Sequence, residues 1–222
     1  MWVKVCGNTR LEDCLLAAEL GADAVGFVFA PGKRTVTAAQ VGAITSHLPP
    51  ALEKIGVFTT DKPREIADTA RAAGLTGVQL HRDYLPAFVA ELKGYLARAT
   101  SVIQVVFRDI GKPEEKQAPD IPYTVMSIYG DELASTPLID SRMSRGCGGT
   151  GKTFDWVTVA GLLQPYRGFP LIVAGGLNPE NVATAVTVLQ PTGVDVSSGV
   201  ESSPGVKDAK KIARFIAAAR SK

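Results

Sequence analysis

Short apolar runs rich in Val, Ile and Phe recur along the chain at intervals of roughly 30 residues, the spacing of a strand, a crossover helix and the next strand. They fall at residues 2–6, 24–29, 54–58, 77–80, 102–107, 137–140, 170–174 and 193–197. Most are continuous rather than alternating, as in strands covered on both faces. Eight such units fit a closed parallel barrel better than an open sheet. The expected fold is α/β, a single (β/α)8 TIM barrel occupying residues 1–222 as one domain.

Helical periods lie between the runs. Thr9-Arg10-Leu11-Glu12 reads as a capping box, with Leu11, Leu15 and Ala18 on the buried face and Gly21 as the left-handed stop. Asn178-Pro179 reads as a cap with proline at the first helical position, followed by buried Val182, Ala185, Val186 and Leu189. The last helix is expected to bury Val206, Ala209, Ala213 and Ile216, leaving its lysines and Arg214 in water. Between Asp109 and Ser135, Pro113, Pro119 and Pro122 interrupt any long period. An irregular or shortened fifth helix region, a loop or a short broken helix, is expected there.

Composition changes this picture little. Hydrophobic residues make up 45% and charged residues 21%, with 24 basic against 22 acidic side chains and a net charge of +2. That balance gives no reason to expect nucleic acid or a membrane surface as partner. No apolar run reaches the length of a spanning helix, and the start carries no secretory pattern. Cys6, Cys14 and Cys147 lack metal-ligand spacing, and with only His47 and His81 no metal site is expected. A cytoplasmic, reducing setting follows.

In such barrels the chemistry sits where strands end. Those ends carry Cys6, the loop 31–34, Gln79 to His81, Asp140, Gly175-Gly176 and Ser197-Ser198-Gly199. The two small-residue loops after strands seven and eight suit a phosphate, because glycine lets backbone amides approach an anion; tight turns alone would be the plainer reading. Cys6 and Asp140 are each as readily structural as functional, but together they resemble an acid–base pair. Residues 146–153 match the G-x-x-x-x-G-K-[ST] phosphate loop, yet residues 141–145 separate them from the sixth strand, and that motif needs a strand directly before it. They are read as the sixth loop, closing over a sugar.

The segments VKVCG, GFVFAP with Arg34, GVQLH, LIDSR, GGTGKTFDW, AGGLNPENV, GVDVSSGVE and GVKDAKKIARF occur in this order between residues 3 and 215. The set resembles the phosphoribosylanthranilate isomerase family of tryptophan biosynthesis. The resemblance implies an Amadori rearrangement of N-(5-phosphoribosyl)anthranilate, with no cofactor and no metal. It implies Cys6 as general base, Asp140 as general acid and Arg34 on the anthranilate carboxylate. Gln79, His81, Gly149 and Asp195 are implied to contact substrate, with Asp195 near the ribose hydroxyls. The amides of Gly175, Gly176, Ser198 and Gly199 are implied to hold phosphate. The implied partner is a small phosphorylated sugar, and the implied assembly a monomer or homodimer.

The chain departs from the family pattern at Lys33, beside Arg34, and at Arg82, after His81. Two other readings are a histidine-pathway sugar isomerase, expected to carry an aspartate where Cys6 stands, and a phosphosugar-binding barrel without turnover. The chemistry sets two requirements. A free thiol titrates near ~8.5 and a free aspartate near ~3.9, so the base needs positive potential and the acid needs a raised pKa. Lys4 is read as pointing away from Cys6, which leaves that potential without a source.

Overall fold

A computed structural model describes residues 1–83, 85–107, 121–130, 135–140 and 155–221. Among them eight parallel strands close into a barrel: β1 Trp2–Val5, β2 Ala24–Val28, β3 Glu53–Phe58, β4 Gly77–Leu80, β5 Ser101–Phe107, β6 Thr136–Asp140, β7 Ile172–Val173 and β8 Gly193–Val196. Closure is made by β1, which pairs with β2 on one side and β8 on the other, Lys4 lying opposite both Ala24 and Asp195. Every expected strand is present, with ends displaced by no more than two residues. The helices are α1 Leu11–Glu19, α2 Ala38–Thr45, α3 Pro63–Ala72, α4 Pro86–Tyr95, α5 Ile121–Gly130, α6 Trp156–Leu163, α7 Val182–Leu189 and α8 Ala209–Arg220.

The inside of the barrel is filled in part by Trp2, Ala24, Ile55, Ile103, Val105, Leu138, Ile172 and Ala174. A larger apolar cluster lies between the sheet and the surrounding helices, with Phe27 and Phe215 wholly buried in it. These two layers are what the alternation of a parallel barrel strand produces: one set of side chains inward, the other outward under helices.

Local signals were kept in some places and displaced in others. Thr37 and Gln40 form a complete capping box at α2. The box expected at Thr9 is absent, because Arg10 is the N-cap and the Thr9 hydroxyl donates to the carbonyl of Gly205 at 2.9 Å. Helix α1 accordingly buries Cys14 and Ala17, and Leu15 is 41% exposed. Gly21 stops α1 with φ of 93°, as expected. Asn178 does cap, accepting from the amides of Glu180 and Asn181, but the capped turn precedes α7 rather than opening it. Val182, Ala185, Val186 and Leu189 are buried as the period requires.

The C-terminal end differs more. Val206 and Lys207 leave the helix and form β10, paired antiparallel with β9, Glu201–Ser203. Helix α8 begins after Asp208, whose side chain accepts from the Lys211 amide, and buries Ile212, Phe215, Ile216 and Ala219. That rotation of the stripe seats Phe215, the largest apolar side chain available, and leaves Ala209 exposed. Lys207 is not in water but only 5% exposed. In the fifth unit a regular ten-residue helix, α5, begins beside Pro122, where a missing N–H has no partner to lose; residues 108–120 and 131–134 are outside the described residues.

Two glycines in surface helices separate packing from propensity. A methyl group on Gly42 would meet the Ala72 carbonyl oxygen at 2.9 Å, whereas Gly161 has nothing within 4 Å. Helix propensity alone favours alanine at both by up to about 1 kcal/mol, and a backbone clash costs about 1–3 kcal/mol. Chemical denaturation should therefore show Gly161→Ala stabilised and Gly42→Ala destabilised; stabilisation by both would mean that α2 and α3 are not held this closely.

Candidate active site

The strand C-termini open onto a cavity of about 480 Å³, a size suited to a small metabolite. Cys6, Arg34, Gln79, His81, Asp140, Gly175, Gly176, Asp195 and Ser198 all line it. Gly199 lies in the adjoining turn, and Gly149 is outside the described residues, as is the glycine-rich stretch 146–153. The barrel thus brings together residues 6, 34, 79, 140, 175 and 198, which no local sequence feature connects.

Cys6 follows β1 directly and is 7% exposed. Directly below it, on the same strand, the Lys4 side chain points into the barrel, not away. Residues 4 and 6 share a face because strand side chains alternate with period two. The fully buried Lys4 ammonium donates to Gln79 Oε1 at 2.6 Å and to Asp195 Oδ2 at 2.8 Å. Gly26 on β2 makes the room: a Cβ there would lie 2.6 Å from Cys6 Sγ and 2.8 Å from Lys4 Cε. The sulfur and the carbon beside the ammonium are therefore no further apart than those two distances laid end to end.

Opposing effects act on the Cys6 thiol. Burial pushes its pKa up, Lys4 pulls it down, Asp195 pushes it up and Lys207 pulls it down, and burial prevails. The Lys4 ammonium is itself disfavoured by burial, yet Asp195 and Cys6 more than reverse this and leave its pKa raised. Asp140, the last residue of β6 and 5% exposed, faces the same cavity.

The rim carries a second charged group. Arg34 donates through Nε and Nη2 to the two oxygens of Glu201 at 2.7 and 2.6 Å, a fork geometry that fixes the guanidinium plane. Glu201 also accepts from Lys207 Nζ at 2.9 Å, and the same ammonium donates to the Cys6 carbonyl at 2.5 Å. Burial works against the Glu201 carboxylate, but Arg34 and Lys207 hold its pKa below the ordinary range. Sequence reasoning missed both Glu201 and Lys207. Nothing in the sequence around Glu201 points to a pairing with residue 34, and Lys207 reads as the solvated side of the last helix.

On the far side, Gly175 and Gly176 hold φ of 86° and 66°, a region that β-carbon sterics close to most residues. After β8, a single 3-10 turn, Ser198–Val200, packs so closely that a side chain on Gly199 would strike the Leu177 carbonyl. The amides of Gly175, Gly176, Ser198 and Gly199 have no hydrogen-bond partner among the described residues. Unused backbone donors converging from two loops are suited to an anion. Arg82 turns away, its guanidinium 4.0 Å from the Phe88 ring and bonded to the Thr60 carbonyl, while Lys33 stays exposed at the rim.

Comparison with known proteins gives consistent matches along nearly the whole chain. The family model for N-(5′-phosphoribosyl)anthranilate (PRA) isomerase matches residues 3–218. An N-(5′-phosphoribosyl)anthranilate isomerase from Pelobacter propionicus is 41% identical over 219 residues, covering 98% of this chain and 95% of the relative. The crystal structure of phosphoribosyl anthranilate isomerase from Thermotoga maritima superposes with a TM-score of 0.81 at 38% identity, covering 99% and 98% of the two chains. A further crystal structure, of phosphoribosyl anthranilate isomerase in complex with reduced 1-(o-carboxyphenylamino)-1-deoxyribulose 5-phosphate, gives 0.78 at 36% identity with the same coverage.

Because burial prevails at Cys6, its thiol should be mostly protonated at neutral pH in the substrate-free protein. Iodoacetamide alkylation of Cys6, followed by peptide mass spectrometry, should rise with pH to a midpoint above the ordinary thiol value of ~8.5. Cys14, pushed up to about 12 by burial first and Asp13 second, serves as the unreactive internal control. A Cys6 midpoint at or below the ordinary value would contradict the electrostatic balance described above.

Proposed function

The chain belongs to the N-(5′-phosphoribosyl)anthranilate isomerase family and has that activity in tryptophan biosynthesis; from this premise we propose that Cys6 is its general base and Asp140 its general acid. The observation that carries the assignment is their placement at the mouth of one cavity, Cys6 after β1 and Asp140 ending β6.

The reaction moves a proton and redistributes electrons within one molecule. Asp140 gives a proton to the furanose ring oxygen as the C1′–O bond breaks, leaving an iminium at C1′. Cys6 thiolate removes the C2′ proton, and the C2′–H electrons form an enolamine. Tautomerisation reduces C1′ to the amine level and oxidises C2′ to a ketone, so no external oxidant enters the balance. Each acid–base role is worth about 10²–10⁴ in rate.

The remaining pocket groups position the substrate. Arg34, fixed by Glu201, keeps Nη1 for the anthranilate carboxylate. Asp195 spends Oδ2 on Lys4, and its buried Oδ1, without a partner among the described residues, accepts from a ribose hydroxyl. Gln79 and His81 flank the sugar from β4. The amides of Gly175, Gly176, Ser198 and Gly199 receive the phosphate. Every residue invoked comes from one chain, so a monomer or a homodimer serves equally. A thiol base works only while reduced, and the free Cys6 and Cys14 support a cytoplasmic setting. Among the described residues no helix is long and apolar enough to cross a membrane.

Following anthranilate fluorescence with freshly formed phosphoribosylanthranilate tests the assignment. Cys6→Ala and Asp140→Asn should each lower kcat by at least ~10²-fold with unchanged circular dichroism. Turnover near wild type in either variant removes that residue from its role. Arg34→Met should instead raise KM by roughly 10–100-fold, the equivalent of a lost charge-assisted pair, with a smaller change in kcat. An unchanged KM would place the carboxylate elsewhere.

A further inference from the structure

We propose that Lys4 is a positioning residue for the isomerisation: its buried ammonium, held by Gln79 and Asp195 beside the Cys6 sulfur, stabilises the thiolate that takes the C2′ proton. The inference rests on the reading of Cys6 as base and adds the group that makes it one.

The geometry supports it in three ways. Lys4 and Cys6 sit one above the other on the inward side of the first strand, and both side chains crowd into the volume that a Cβ on Gly26 would need. The ammonium is immobilised by two short bonds, to an amide oxygen and a carboxylate, so its charge is fixed in place. It is also wholly buried, and water does not screen a pair in that position as it does at the surface. The other charged groups acting on Cys6, among the described residues, are Asp195 from β8, Lys207 from β10 and Arg34 from the loop after β2. Lys207 already shares Glu201 with Arg34, and Arg34 spends its fork on that carboxylate. Lys4 has the largest favourable effect of the three cations on the ionised thiol.

Stability alone gives a weak reason for such a lysine. A buried ion pair is often matched or exceeded by well-packed apolar residues of similar volume, and the barrel interior here is otherwise largely aliphatic. A charge kept next to the base is accounted for by the base.

The test combines the pH dependence of Cys6 alkylation with the pH profile of kcat/KM. Lys4→Gln keeps a donor toward Asp195 but loses the charge. It should move the Cys6 alkylation midpoint up by roughly 1–3 pH units, and the alkaline rise of kcat/KM should move with it. Asp195→Asn removes both the direct push of Asp195 on the thiol and the counterion of Lys4, and should move the alkylation midpoint down. A folded Lys4→Gln protein with the wild-type midpoint overturns the proposal. If that variant does not fold, Lys4→Met in an Asp195→Asn background, which leaves no buried charge of the pair without its partner, decides: a midpoint no higher than that of Asp195→Asn alone overturns the proposal. Failure of the underlying reading looks different. If Cys6→Ala retains turnover, Cys6 is not the base, whatever Lys4 does to its alkylation.

Discussion

An ammonium and a carboxylate enclosed inside a barrel are the constraint around which this pocket is arranged. Removing either charge from water costs several kcal/mol, and the attraction between them recovers this only with good geometry and further hydrogen bonds. Lys4 and Asp195 meet at 2.8 Å on neighbouring strands in direct register, and Gln79 adds a second acceptor from across the interior. The pair fixes what its neighbours can be. Gly26 cannot carry a side chain, because Lys4 and Cys6 already occupy that volume. Asp195 cannot serve the ligand with both oxygens. Lys4, Gln79 and Asp195 form a polar cluster under the mouth.

A second cluster organises the rim by the same logic. Glu201 receives Arg34 on one side and Lys207 on the other, and Lys207 reaches the carbonyl of Cys6. Arg34 alone on a loop would sample many orientations; against Glu201 its guanidinium has one plane. The short hairpin β9–β10 exists to supply both partners, Glu201 from one strand and Lys207 from the other. Cationic groups on this side, and amides without a partner among the described residues on the other, suit a ligand with a carboxylate at one end and a phosphate at the other.

The strands and most of the pocket were legible in the sequence because they depend on short-range regularities. Apolar runs mark buried strands, and paired glycines mark tight turns; Cys6, Asp140, Arg34, Gly175 and Gly176 line the cavity at the strand ends where those regularities place them. What escaped depends on contacts between distant residues. Thr9 looked like a cap but bonds to Gly205, a neighbour only in three dimensions. Lys207 looked like the solvated side of a helix and is buried against Glu201. Lys4 was a different case: period-two alternation puts residues 4 and 6 on one face, so the signal was present and was misread. Nothing near residue 201 announced its pairing with residue 34.

The bonds that surround Cys6 span almost the whole chain: Lys4 with Asp195 across 191 positions, and Lys207 with the Cys6 carbonyl across 201. Contacts of such separation form late, since the loop they close must first be ordered. During synthesis the first strand leaves the ribosome carrying Cys6, with Lys4 lacking its ion pair, the Cys6 carbonyl lacking its anchor, and the eighth strand not yet there to shield them. The thiol therefore acquires its full electrostatic environment only when the final strands dock, and a nascent or truncated chain holds the residue but not the surroundings that tune it.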